Sequence, residues 1–183
     1  RSGVNEIFIS VNYLREQIIE HFSNGAKHGV NIRYLHEEYP LGTAGSLGKI
    51  DKEDVPEKLI VLNGDILTNI NLNKMLEFHH NQENMITIAG KKHFINNPYG
   101  TLTCVENQLV GFVEKPVYES IINTGIYCIN KDVLSFVNGK ENYDMPSLIE
   151  KTQQTKNLVG VYTDDFSWLD IGTEDSFREA PDF

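Results

Sequence analysis

A three-layer α/β domain with a mixed sheet is the fold class this sequence predicts, and three observations predict it. Short apolar runs alternate with stretches of helical spacing in the first half of the chain. Strand-like runs then follow one another with little helix between them. The chain has 183 residues, 40% of them hydrophobic and 23% charged, which is enough to bury one substantial core. Eight Tyr, nine Phe and one Trp exclude a disordered or low-complexity chain.

Glu6–Val11 reads as a strand, and Leu14, Ile18, Ile19 and Phe22 behind it mark one face of a helix. Asn31–His36 is a second strand, after which Pro40 and a glycine-rich turn lead into a short helix over Ala44–Ile50. Lys58–Asn63 is apolar almost throughout, as expected of a central parallel strand covered on both faces, and it stops at Gly64-Asp65. Asn71 can cap a helix that carries Leu72, Met75, Leu76 and His79 on one side. Beyond it, Met85–Gly90, Gly100–Val105, Leu109–Val113 and Thr124–Ile129 are strands, with Glu106-Asn107 placed for a hairpin turn, so this half of the sheet is expected to be mixed or antiparallel. Asn130 and Asp144 cap helices over Lys131–Val137 and Met145–Gln154, and Pro146 is tolerated in the first turn of the second. Leu158–Tyr162 and Phe166–Leu169 close as strands, and Thr173 caps a last helix with Glu174 and Asp175 in its first turn.

Sixteen Lys and Arg against 26 Asp and Glu leave a net charge of −10, which repels nucleic acid and anionic lipid surfaces, so neither is an expected partner. The longest aliphatic run, Leu59-Ile60-Val61-Leu62, falls far short of the roughly 20 residues that span a bilayer. No export signal opens the sequence. Cys104 and Cys128 both sit in apolar strand-like segments and are expected to be buried free thiols, which suits a reducing cytoplasm.

In open α/β sheets, ligands bind beyond the carboxyl ends of strands. Asp65 and Asp170 stand there, each with a glycine close by, and two hard oxygen donors suit Mg²⁺ or Mn²⁺ shared with phosphates. An Asx-turn closing each strand is the plainer reading of spacing alone. Leu41-Gly42-Thr43-Ala44-Gly45 joins a strand to a helix, where backbone amides can meet a base or an anion. Gly48-Lys49 is no P-loop, since Thr43 and Ile50 stand where such a loop needs Gly and Ser or Thr. Glu114-Lys115-Pro116 sets an acid beside a base at a strand end, and a surface turn describes it equally well. The six histidines lack metal-ligand spacing, and no nucleophile motif for covalent hydrolysis is present. Trp168 is expected to wall the core or a pocket.

Six segments in order, Pro40-Leu41-Gly42-Thr43-Ala44-Gly45, Asn63-Gly64-Asp65, Pro98-Tyr99-Gly100, Val113-Glu114-Lys115-Pro116, Asn123-Thr124-Gly125-Ile126-Tyr127 and Trp168-Leu169-Asp170-Ile171-Gly172-Thr173, resemble the sugar-phosphate nucleotidylyltransferases. They span nearly the whole chain, and their flavour is similar to the mannose-1-phosphate guanylyltransferase-like branch. The resemblance implies a Rossmann-like sheet of the nucleotide-diphospho-sugar transferase type. It implies transfer of a nucleotidyl group from a nucleoside triphosphate, GTP foremost, to a sugar 1-phosphate. Residues 1–84 would form the nucleotide-binding part and 85–183 the sugar-binding part of one domain. Leu41, Gly42, Thr43, Ala44 and Gly45, with Asn63 and Gly64, would hold the nucleotide. Asp65 and Asp170 would hold Mg²⁺, with Mn²⁺ as a substitute, and Lys115 the linking phosphate, the three together forming the catalytic set. Tyr99, Gly100, Glu114, Asn123, Thr124 and Gly125 would line the sugar pocket.

The family's opening glycine-rich loop with its Arg, and the Pro-Lys that follows, have no counterpart in this sequence. The chain therefore reads as N-terminally truncated, lacking a first strand and helix, and as inactive alone. Completion of the sheet by a second copy in a homo-oligomer and a non-catalytic sugar-nucleotide-binding module are the alternatives. A metal-dependent glycosyltransferase fits less well, because Asn63 occupies the place of the first acid in an Asp-x-Asp pair.

Overall fold

The computed structural model describes residues 3–180. Strands β1 (Glu6–Val11) and β2 (Asn31–His36) pair in parallel, from Glu6 opposite Asn31 to Val11 opposite His36. Helix α1 (Arg15–Phe22) links them, entered through Leu14 at φ 53°. None of its residues is buried, so the apolar face read from its spacing is only half covered. Helix α2 (Gly42–Gly45) is a single turn continued as a 3₁₀ turn over Ser46–Lys49, a tighter path than the continuous helix expected over 44–50.

A four-stranded sheet holds the core together, in the order β3 (Lys58–Leu62), β8 (Val117–Asn130), β5 (Ile86–Asn96), β9 (Val159–Thr163). β5 and β9 are parallel, whereas β3 runs antiparallel to β8. This corrects the expectation of a central parallel strand: β3 has one partner among the described residues, and Lys58–Val61 are half-buried with Leu62 45% exposed. An apolar run reports that a strand is pressed against a core and says nothing about the direction of its neighbour. β3 belongs to the first part of the chain and β8 to the second, so the two parts share this sheet.

Alternation along the strands divides the core into two layers. Ile86, Tyr127 and Ile129 face one side with Ala44, Leu47, Val133 and helix α4 (Met145–Gln154), which contributes Met145 and Leu148. Ala89, Ile126 and Cys128 face the other with Phe166, Tyr162 and Met75 of helix α3 (Leu72–Asn81). The helix, sheet and helix layers predicted from the sequence are thus present. Full burial of Leu148 or Met75 stabilises the fold by roughly 2 kcal/mol each. Asn71 and Asp144 cap α3 and α4 as expected, accepting from the amides of Lys74 and Ser147.

β5 and β8 are far longer than their apolar cores suggested, because their pairing continues beyond the sheet as a two-stranded ribbon from Lys91–Ile122 to Asn96–Val117. A bulge at Ile88–Gly90 marks the change from core to ribbon. Between the ribbon's ends, β6 (Thr101–Val105) and β7 (Gln108–Val113) form a hairpin with Glu106 and Asn107 at its turn. Cys104 on β6 is exposed, against expectation, while Cys128 is buried and its thiol is pushed up to about 12 chiefly by burial. Short strands β4 (Ile66–Thr68) and β10 (Trp168–Asp170) pair antiparallel, β4 being a strand that the sequence reading missed. Residues 131–136 form a 3₁₀ helix in place of the expected α-helix. Helix α5 (Glu174–Glu179) starts from a capping box at Thr173. No helix among the described residues is long and apolar enough to cross a membrane.

Candidate active site

The pairing of β4 with β10 decides where the two acids meet. Ile66 lies opposite Asp170, and the Ile171 amide donates to the Asp65 carbonyl at 2.8 Å, which locks the two strand ends side by side. Both carboxylates then crowd one point: a Cβ built on Gly172 would lie 3.0 Å from Asp170 Oδ1 and 3.2 Å from Asp65 Oδ2. The glycine leaves that space free, and its amide donates to Asp170 Oδ1 at 2.8 Å, fixing the rotamer. Two exposed carboxylates with converging oxygens make a hard, anionic donor pair. They fit a Mg²⁺-sized ion that keeps water or phosphate oxygens on its other positions. Among the described residues no third His, Cys, Asp or Glu joins them.

Asn63 and Gly64 run into this pair. The Asn63 amide donates to the Gly125 carbonyl at 3.0 Å, and Gly125 adopts φ 73°, where a Cβ would sit 2.7 Å from Asn63 Nδ2. Only glycine satisfies both the left-handed backbone and the close approach. The space beside Gly64 is open to 4 Å. Asn123 stands in β8 where the pairing register with β5 shifts. Its Oδ1 accepts from the Gly125 amide at 3.0 Å, and its Nδ2 donates to the Tyr127 hydroxyl at 2.8 Å. One N–H and one lone pair of the Asn123 amide remain free of these bonds. Tyr127 was missed as a positioning residue, because its bond to Asn123 spans the irregular turn of β8 at Gly125. Thr124 is committed elsewhere: it is buried, its hydroxyl donates to Ala89 O at 2.8 Å, and its carbonyl accepts from Trp168 Nε1 at 2.8 Å. Trp168 is thereby part of the wall it was expected to be.

A second group forms at the root of the β6–β7 hairpin. Glu114 Oε2 and the Phe112 ring each lie 2.9 Å from where a Gly100 Cβ would be, so any side chain there would displace the carboxylate. Tyr99 is 75% exposed, its amide held by Asn97 Oδ1 at 3.0 Å. Lys115 is exposed, sits at φ 44° and immediately precedes Pro116, a position where the left-handed region is disfavoured. Among the described residues it makes no ion pair.

The segment from Leu41 to Gly45 packs against the loop that enters α4. Leu41, Ala44 and Gly45 are buried, and the Ala44 amide donates to Tyr143 O at 2.9 Å. Thr43 Oγ1 accepts from the Met145 amide at 2.9 Å, so this residue also tethers the start of α4. Gly42 and Thr43 alone in the segment are exposed.

A cleft of about 390 Å³ lies at the opposite end of β3 from Asp65 and is lined by Lys58, His79, His80 and Asn130 among others. Three of its polar residues, His79, Asn84 and Asn130, are tied into one hydrogen-bonded group with the buried Thr87. His79 contacts Thr87 Oγ1 at 2.8 Å and Asn130 Oδ1 at 3.1 Å, and Asn84 Nδ2 donates to Thr87 Oγ1 at 3.0 Å.

The fold is a three-layer α/β arrangement, and the ends of β4 and β10 bring two acids together beside an exposed Asn-Gly turn. The family model described as "Nucleotidyl transferase" matches residues 1–183, and the chain belongs to that family. The chain is 31% identical over 182 residues to the D-glycero-alpha-D-manno-heptose 1-phosphate guanylyltransferase of Aneurinibacillus thermoaerophilus, a match covering 98% of this chain and 78% of the relative. It is 33% identical to the mannose-1-phosphate guanylyltransferase catalytic subunit beta of Dictyostelium discoideum, covering 96% of this chain and 50% of that one, so it spans about half the length of such relatives. The fold is similar to the crystal structure of HddC from Yersinia pseudotuberculosis, with a TM-score of 0.72 and 22% identity over 99% of this chain and 79% of that one.

Proposed function

We propose that this chain carries the nucleotidyl-transfer site for making a nucleotide sugar from a nucleoside triphosphate, GTP in the first place, and a sugar 1-phosphate, with pyrophosphate as the second product. The observation that carries the reading is the convergence of Asp65 and Asp170 on Gly172. Guanylyltransferases of heptose and mannose 1-phosphates among the relatives support the choice of substrates. In the reaction, an oxygen of the sugar 1-phosphate bonds to the α-phosphorus as the bond to pyrophosphate breaks in line.

Both reactants are anions. Two unit charges 4 Å apart repel by roughly 4 kcal/mol at an effective dielectric of 20, and several such pairs meet in this reaction. Asp65 and Asp170 would hold Mg²⁺, which when bound offsets phosphate charge at the reacting centre. The free ammonium of Lys115 is the residue to pair with the linking phosphate. Gly42 and Thr43 would lie against the base, and Tyr99, Glu114 and the unspent groups of Asn123 would meet sugar hydroxyls. The attacking phosphate oxygen is already ionised at neutral pH, so no general-base histidine is needed, in keeping with the burial of His79 away from this end of the sheet.

The test combines GTP, Mg²⁺ and a panel of sugar 1-phosphates with a pyrophosphate assay, and follows Mn²⁺ binding in the presence of GTP. The chain by itself is expected to release little or no pyrophosphate, and Asp65→Asn and Asp170→Asn should each weaken Mn²⁺ binding about tenfold or more, with circular dichroism unchanged. Undiminished metal binding in both variants would refute the assignment, and brisk pyrophosphate release by this chain alone would overturn its expected inactivity.

A further inference from the structure

The loop that enters α4 lies about 100 residues along the chain from Gly42, yet it is fastened to the segment around that glycine. The Tyr143 amide donates to Leu41 O at 2.8 Å, the Tyr143 carbonyl accepts from the Ala44 amide at 2.9 Å, and the Tyr39 hydroxyl donates to Lys140 O at 2.5 Å. The exposed side chain of Asn142 stands among these ties, and its Nδ2 donates to Pro40 O at 3.2 Å. A carbonyl oxygen can only accept, so nitrogen is the amide atom that faces Pro40. Asn142 Oδ1 is then set beside the exposed Gly42, 3.2 Å from where a Cβ on that glycine would lie. No hydrogen bond among the described residues uses this oxygen.

An acceptor held in one place selects among bases by where they carry N–H groups. Guanine sets N1–H and its 2-amino group side by side on one edge, two donors in a row. Adenine sets one amino group beside a ring nitrogen whose lone pair repels an acceptor, and hypoxanthine keeps N1–H but lacks the 2-amino group. We propose that Asn142 is a specificity residue for the nucleobase, its Oδ1 accepting from the 2-amino group of guanine. The inference rests on the reading that lays the base against Gly42 and Thr43, and it names the side chain that chooses which base lies there. Because Asn142 is open to water, losing one such bond costs far less than in a closed pocket, about tenfold in affinity.

Calorimetric titration of the chain with GTP and with inosine triphosphate, each with Mg²⁺, tests this without any need for turnover. The unaltered chain should bind GTP about tenfold more tightly than inosine triphosphate. Asn142→Leu and Asn142→Asp both lose the bond to Pro40, but only the aspartate keeps an acceptor. Asn142→Leu should weaken GTP about tenfold and leave inosine triphosphate unchanged, which abolishes the preference. Asn142→Asp should weaken both nucleotides through its added charge and retain their ratio. A residue that only shapes the loop would move both nucleotides alike in both variants. Equal affinity of the unaltered chain for the two nucleotides, a preference that survives in Asn142→Leu, or one that is lost in Asn142→Asp would overturn this inference while leaving nucleotide binding in place. A chain that binds neither triphosphate would overturn the placing of the nucleotide itself, and this inference with it.

Discussion

Gly172 shows how little separates an ordinary turn from a meeting point of two acids. Asp65 and Asp170 could each have closed a strand with an Asx-turn, and Asp170 does accept from the Gly172 amide in that way. What distinguishes them is that both carboxylates reach the same space beside the glycine, a fact of pairing between β4 and β10 and not of local sequence. At the other end of β3, His79 is the one buried histidine among the described residues. Because Asn130 Nδ2 donates to Asn84 O, its Oδ1 is left to accept from His79 Nε2–H, and Thr87 donates to Nδ1. Burial holds the imidazole pKa below its ordinary value, with the Asn130 bond opposing and Lys58 and His80 adding to the fall. The unfolded chain therefore takes up the proton first. His79 leaves stability intact above about pH 6.5 and lowers it as the pH falls below that value, until the folded imidazole is itself protonated. Thermal midpoints measured from pH 8 to 5 should decline, and His79→Gln should flatten the decline; an equal slope in the variant would place its origin in other groups.

Elements carry a second kind of information, namely what each strand or turn is fastened to. The segment at 41–45 was legible as a strand-to-helix junction, yet its sequence does not reveal that Thr43 holds the first amide of α4. Thr43→Val should lower stability by about 1 kcal/mol, read as a shift of the denaturant midpoint, whereas Thr43→Ser should retain it. If Val is tolerated as well as Ser, the bond contributes nothing. β5 and β8 were read short because their outer halves lack the unbroken apolar run of the inner halves. Polar and charged residues such as Lys92, His93, Glu119 and Ser120 interleave with Phe94 and Tyr118, an alternation that fits a ribbon wet on both faces as well as it fits a loop. Hydrogen exchange in the dilute chain should divide these strands at the bulge: amides of Ile86 and Ile126–Ile129 should exchange about 100-fold or more slowly than those of Phe94–Asn96 and Val117–Glu119. Uniform protection along β8 would contradict the division.

For the molecule as a whole, periodicity and turn chemistry were enough to predict a three-layer α/β domain, because they are properties of neighbouring residues, while the family came from the resemblance of six ordered motifs. The apolar runs also located the buried inner segments of β5 and β8. Other features depend on residues distant in sequence. The antiparallel placement of β3 beside β8, the exposure of Cys104 in a segment as apolar as the one that buries Cys128, and the cross-strand lock between Ile171 and Asp65 all arise from which strand lies next to which. Backbone hydrogen bonds are the same for every residue, so a strand's own sequence limits which faces it buries but does not choose its neighbour. That choice, made by tertiary packing, set the two carboxylates beside Gly172 and left the outer ribbon of β5 and β8 in water on both faces.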